Sequence, residues 1–166
     1  TPYVGFLYAG LMVNSNNDIK VLEFNCRLGD PETQPLLLRM KSDLVDHLLL
    51  ALNGKLERHT IQWDPRSALC VVMAARGYPK AYTKGNVILG LEQTEAHSKI
   101  FHAGTQKKDG DIITAGGRVL GVTALGKDLT EAKDTAYRAV KQVQWDQCHY
   151  RSDIGAKGLT RPITTV

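Results

Sequence analysis

Nothing in these 166 residues approaches the roughly 18 unbroken apolar positions that a membrane-spanning helix requires. The longest candidate, Val45 to Leu52, is interrupted by Asp46 and His47. The opening Thr1-Pro2-Tyr3-Val4-Gly5-Phe6 carries no basic segment of the kind that starts a secretory signal. Cysteine is scarce: Cys26, Cys70 and Cys148 are odd in number, far apart and form no Cys-x-x-Cys. A disulfide framework and a structural zinc are therefore not expected, and reduced thiols point to the cytoplasm. The five histidines show no metal-ligand spacing. Dense Lys/Arg blocks with interleaved aromatics are missing as well, so no nucleic-acid tract is expected.

What the chain has is an ordinary globular composition, with 43% hydrophobic and 23% charged residues. The net charge of +4 is unevenly spread. Residues 1–66 hold seven basic and eight acidic side chains, and residues 67–166 hold fourteen and nine. A modest basic excess suits phosphorylated ligands or a solvated surface. A start without Met, directly in strand-like sequence, gives the expectation of a fragment.

Residues 3–13 and Ile19 to Cys26 read as two strands joined by the polar turn Asn14-Ser15-Asn16-Asn17-Asp18, a β-hairpin with a five-residue connection. Asp30-Pro31 predicts a helix start, with Asp30 as cap and Pro31 in the first position. Ser42 predicts a second cap, ahead of a helix whose apolar positions are Leu44, Val45, Leu48, Leu49 and Leu52. Asn53-Gly54 ends it. Trp63-Asp64-Pro65-Arg66 reads as a link to a second unit, opening with the central-strand run Ala68 to Ala75. Further strands are expected at 86–91, 99–103, 111–115 and 118–125, with Asp109-Gly110 and Gly116-Gly117 as turns. Gly116-Gly117 fits a hairpin turn better than a phosphate loop. Asp128 and Glu131 form a capping pattern before a helix with apolar face Ala132, Ala136, Tyr137, Val140 and Val143. The tail after Tyr150 reads as irregular.

The segment Leu22-Glu23-Phe24-Asn25-Cys26-Arg27 carries the chemistry. Alternation along a strand puts Glu23, Asn25 and Arg27 on one face and Leu22, Phe24 and Cys26 on the other. A carboxylate and an amide oxygen are hard donors that suit Mg²⁺, whose remaining positions substrate phosphates and water fill. Arg27 can hold an anionic oxygen by paired hydrogen bonds. The same pattern also describes a plain solvent face on a half-exposed strand. Asp30 and Glu32 suit an amine or a metal as readily as a helix start.

The run Leu22 to Gln34, read as Leu-Glu-Phe-Asn-Cys-Arg-Leu-Gly-Asp-Pro-Glu-Thr-Gln, resembles the metal-binding strand of the ATP-grasp enzymes. Its Gly-Asp-Pro-Glu-Thr-Gln extension resembles the glycinamide ribonucleotide synthetase family. The resemblance continues through Leu38 to Leu44, Val71 to Pro79, Phe101 to Thr105, Gly116 to Leu120, Trp145-Asp146 and Arg151 to Gly155. It implies an α+β chain: residues 1–62 as the end of an ATP-grasp domain, then 63–166 as a small, mostly antiparallel β domain with a helix and a basic tail. It implies an ATP-dependent carbon–nitrogen ligase of purine biosynthesis, joining glycine to 5-phosphoribosylamine through a glycyl phosphate. Mg²⁺ or Mn²⁺ is the implied cofactor, ATP the cosubstrate, and the enzyme a cytoplasmic monomer without nucleic-acid or membrane partners. By motif position, Glu23 and Asn25 hold the metal and Leu22 packs under adenine. Arg27 lies near the acyl phosphate as a catalytic and substrate-binding residue, with Gly29 and Asp30 as substrate neighbours. The family's N-terminal domain, ATP lid and ATP-grasping lysines fall before Thr1, so the 166 residues alone are expected to be inactive. A different ATP-grasp ligase, of biotin-carboxylase type, and a non-catalytic interaction module are the alternatives.

Overall fold

The structure is a computed structural model that describes residues 2–92 and 95–160. It is an α+β chain in two compact units. One consists of the residues up to Thr33 together with Met40–Asp64; the other takes Gln34–Arg39 and the residues from Pro65 onward. No helix among the described residues is long and apolar enough to cross a membrane.

In the first unit, β1 (Tyr8–Val13) and β2 (Ile19–Asn25) pair antiparallel around the five-residue turn. Asn14 closes this turn: its side-chain oxygen accepts from the backbone N–H of Asn16 and of Asp18, both at 2.9 Å. Helix α1 (Thr33–Arg39) begins later than the sequence suggests. Asp30, Pro31 and Glu32 form a turn instead, and the Thr33 N–H reaches back to the Gly29 carbonyl at 3.1 Å. Pro35 then falls in the first turn of α1, where its missing N–H costs little. Helix α2 (Leu44–Leu52) is capped by Asp43, whose carboxylate accepts from the Val45 N–H. Ser42 is not the cap because its hydroxyl is taken elsewhere. It lies 2.6 Å from Nε2 of the buried His47 and accepts from the Gln62 N–H.

The second unit is built on an antiparallel sheet with order β4 (Ser98–His102), β7 (Arg118–Gly126), β3 (Ser67–Ala74) and β8 (His149–Tyr150). A smaller hairpin joins β5 (Thr105–Lys108) to β6 (Asp111–Thr114) through Asp109-Gly110. Helix α3 (Leu129–Gln142) packs across β3 and β7. Its Ala132, Ala136 and Val140 are buried against Val71, Met73, Leu120 and Val122 in the core. Small residues on the helix let it sit close to the large apolar side chains of the sheet. Asp128 caps α3 by accepting from the Glu131 N–H at 2.8 Å, and Glu131 accepts from the Lys127 N–H at 2.6 Å.

Three expectations need correction in this unit. The segment 86–91 makes only isolated bridges, Val87 to Ile113 and Leu89 to Gln144, rather than a strand. Gly116-Gly117 is no hairpin turn: β6 pairs with β5, whereas β7 pairs with β3 and β4, so the glycines carry the chain between two sheets. There the Ala115 and Gly116 N–H groups share the Gly104 carbonyl, and the Gly117 carbonyl accepts from Ala75. The tail after Tyr150 is not wholly irregular, since Ala156–Thr160 forms the short helix α4; residues 161–166 lie outside the described residues.

Candidate active site

The first unit's hairpin brings the candidate residues together through an irregular register. Tyr8 lies opposite Asn25 and Gly10 opposite Glu23, but the next pair is Leu11 with Val21. Leu22 is thus an extra residue without a cross-strand partner, a β-bulge. Directly opposed residues share a face of the sheet. One face therefore carries Tyr8, Gly10, Met12, Lys20, Glu23 and Asn25, and the other carries Ala9, Leu11, Val13, Ile19, Val21 and Phe24. The bulge separates the polar from the wholly apolar side. Strict alternation back from Glu23 would have put Val21 and Ile19 beside the carboxylate and Lys20 on the apolar face.

Glu23 and Asn25 do share a face, as expected. The Asn25 amide nitrogen donates to Glu23 Oε1 at 3.0 Å, and the Glu23 side chain is exposed. Gly10 leaves room for it: a Cβ there would stand 3.1 Å from Glu23 Cγ. A half-turn of the Asn25 amide exchanges its nitrogen for its oxygen at little steric cost. Two oxygens would then lie at the observed separation, matching the roughly 3 Å between neighbouring ligands of an octahedral Mg²⁺ bound at about 2.1 Å. The donor set fits a divalent cation that draws its other ligands from water and phosphate. Among the described residues no group of three or more His, Cys, Asp or Glu side chains could hold a metal alone.

Arg27 departs from the expected arrangement. Strand β2 ends at Asn25, so Arg27 lies on a bend, exposed, with Nη1 donating to the Leu28 carbonyl at 2.9 Å. Strand alternation does not aim it, yet its charge is felt at the Tyr8 hydroxyl. Gly29 is buried: a Cβ there would collide with Glu32 Oε2 and stand 2.8 Å from the Tyr8 ring. Asp30 is exposed on the following turn, and Leu22 is 64% exposed at the bulge.

Tyr8 and Lys20 share this face as well, a placement that sequence reasoning missed. Counting outward from the turn pairs Tyr8 with Phe24; only the bulge shifts its partner to Asn25. The Tyr8 hydroxyl donates to Glu32 Oε1 at 3.3 Å. The Glu32 charge, foremost, raises the Tyr8 pKa above its ordinary value near 10. Desolvation, the hydrogen bond to Glu32 and the Glu23 charge add to this, while Arg27 opposes it. The phenol therefore stays neutral longer in the folded chain, and the associated stability is present below pH 10 and lost as pH rises through the folded pKa. The phenolate absorbance that disappears in Tyr8→Phe is expected to titrate above pH 10 and to move down toward 10 in Glu32→Gln. A midpoint unmoved by Glu32→Gln would show that the carboxylate does not control this hydroxyl.

With that geometry in place, comparison with known proteins gives a consistent result. The family model described as phosphoribosylglycinamide synthetase, C domain, matches residues 68–157, more than half of the chain. The chain belongs to the phosphoribosylglycinamide synthetase family. The model for the family's ATP-grasp (A) domain matches residues 1–33, which include the Glu23–Asn25 pair. The chain is 54% identical over 161 residues to a phosphoribosylamine–glycine ligase of Vibrio parahaemolyticus, covering 96% of this chain and 38% of the relative. It is 52% identical over 165 residues to the Xylella fastidiosa enzyme of the same name, covering 99% and 38%. The chain thus spans little more than a third of the length of these curated relatives. Among solved structures, the phosphoribosylamine–glycine ligase of Thermotoga maritima superposes with a TM-score of 0.77 at 38% identity, over 89% of this chain and 36% of that one. A Rhizobium etli pyruvate carboxylase superposes with a TM-score of 0.63 at 15% identity, a likeness of fold alone.

Proposed function

We propose that this chain is the C-terminal portion of an ATP-dependent carbon–nitrogen ligase that joins glycine to 5-phosphoribosylamine in purine biosynthesis. In this reading residues 1–62 end the ATP-grasp domain and residues 63–166 form the C-terminal domain. The enzyme acts as a cytoplasmic monomer on small molecules. The observation that carries the reading is the 54% identity, over 96% of the chain, to a relative named for that reaction.

The glycine carboxylate attacks the γ-phosphorus of ATP, the bond to ADP breaks, and an acyl phosphate forms. The amine of 5-phosphoribosylamine then attacks the acyl carbon and inorganic phosphate leaves, giving the amide. Glu23 and Asn25 hold Mg²⁺ or Mn²⁺, which supplies compensation for negative charge on the phosphoryl group. Leu22, bulged and exposed, packs under the adenine ring. Arg27, unconstrained by a strand, reaches the acyl phosphate as a bidentate donor. Gly29 and Asp30 border the amine substrate, which attacks as the neutral amine.

The test is a substrate panel on the full-length protein that carries this chain. ADP release that requires both glycine and 5-phosphoribosylamine is the expected result. Dependence on bicarbonate would assign it to the biotin-carboxylase type instead. Absence of nucleotide binding, with salt-sensitive binding to a polymer, would make it an interaction module.

A further inference from the structure

The bulge at Leu22 has a second effect, on Lys20. Lys20 pairs with Met12, two strand pairs beyond the Gly10–Glu23 pair, and so stands on the same face as Glu23 and Asn25. It is the one cationic position in the ladder of β1 and β2, and its side chain is exposed. Two strand pairs correspond to about 7 Å along the sheet, within the span that an extended lysine side chain and a phosphate together bridge. The nearest explanation for an exposed lysine beside a carboxylate is an ordinary ion pair. Among the described residues Lys20 forms none, although Glu23 shares its face. A strongly hydrated ammonium on a flexible stem is a suitable point-charge partner for a phosphate oxygen.

We infer that Lys20 is a phosphate-binding residue of the Glu23–Asn25 face, taking an oxygen of a phosphorylated substrate beside the divalent cation. The inference rests on the proposed ATP-dependent reading for the existence of a phosphate there, and adds a residue that strand alternation assigns to the opposite side. A nucleotide phosphate and a sugar phosphate present the same chemistry to an ammonium, so both are probes. The bulge is what makes the assignment possible: without the extra residue, Lys20 would project among the apolar side chains.

The experiment is calorimetric binding to the full-length protein, with Mg²⁺ present, of a non-hydrolysable ATP analogue and, separately, of ribose 5-phosphate. Lys20→Met keeps the length of the side chain and removes its charge; Lys20→Arg restores a cation. Losing one hydrogen bond to a charged group corresponds to about a ten- to hundredfold weaker Kd. Weakening of that size for either probe in Lys20→Met, with recovery in Lys20→Arg, is the expected result. The probe affected identifies the source of the phosphate. Unchanged Kd values for both probes overturn the inference. Because these are binding measurements, failure of the proposed reaction is separately visible: a protein that binds the analogue through Lys20 but forms no amide keeps this inference and loses that reading.

Discussion

Glu23→Ala in the full-length protein is expected to lower amide-forming turnover by about 10³-fold or more. In the proposed reading the side chain supplies the only formal negative charge of the two-residue donor set, since Asn25 contributes a neutral amide. Charge compensation by a metal on a transferring phosphoryl group supplies several kcal/mol, and about 4 kcal/mol corresponds to a thousandfold. The change should leave folding nearly untouched. Glu23 is exposed on β2 and its described partner is the neighbouring Asn25 amide. Substitutions at such positions fall within about 0.5 kcal/mol. Steady-state kinetics over a Mg²⁺ series, with circular dichroism of the same sample, decides the matter. Full activity at saturating Mg²⁺ would make Glu23 an ordinary surface carboxylate. Asn25→Ala is expected to be the milder change, because it removes a ligand without removing charge.

The largest expected loss of stability lies in the other unit, at Gly90. Its φ is +83°, and the space a Cβ would occupy is filled by the Gln142 carbonyl at the end of α3, with Gln142 C at 2.9 Å. The chain cannot simply slide away. Leu89 and Gln144 exchange two backbone hydrogen bonds, at 2.9 and 3.1 Å, one residue to the side. Gly90→Ala combines a left-handed backbone penalty of about 1–2 kcal/mol with an overpacking penalty of about 1–3 kcal/mol. Gly110→Ala separates the two contributions. Gly110 has φ +97° but nothing within 4 Å of its Cβ position, so only the backbone penalty applies. Urea unfolding should show Gly90→Ala losing about 2–5 kcal/mol and Gly110→Ala about 1–2 kcal/mol. Equal losses would mean that contact with α3 contributes nothing.

Much of the architecture was legible because local chemistry and long-range packing agree. The Asn14 turn sets the hairpin, the Asp128–Glu131 pair sets the start of α3, and the apolar run from Ala68 becomes the central strand β3. Where they disagree, the sequence misleads for identifiable reasons. Strand β5, Thr105-Gln106-Lys107-Lys108, has no apolar alternation to detect, because it is held by ladder pairing to β6. Ser42 and Asp43 are both competent caps, and what assigns the role is a demand on Ser42 from residues five and twenty positions away. The Glu23–Asn25 pair was readable because it is local, two residues on one strand. Tyr8 and Lys20 were not, since their placement on that face depends on a bulge and a bulge is a property of two strands together.

Cys26 follows Asn25 directly and is exposed, whereas Cys70 is buried. Burial pushes the Cys148 thiol up to about 11, so near neutrality it is almost entirely protonated and slow to alkylate. The chain therefore carries a built-in chemical reporter. A maleimide offered at neutral pH is expected to select Cys26, the exposed sulfur next in sequence to Asn25, so the end of β2 can be labelled without any engineered cysteine.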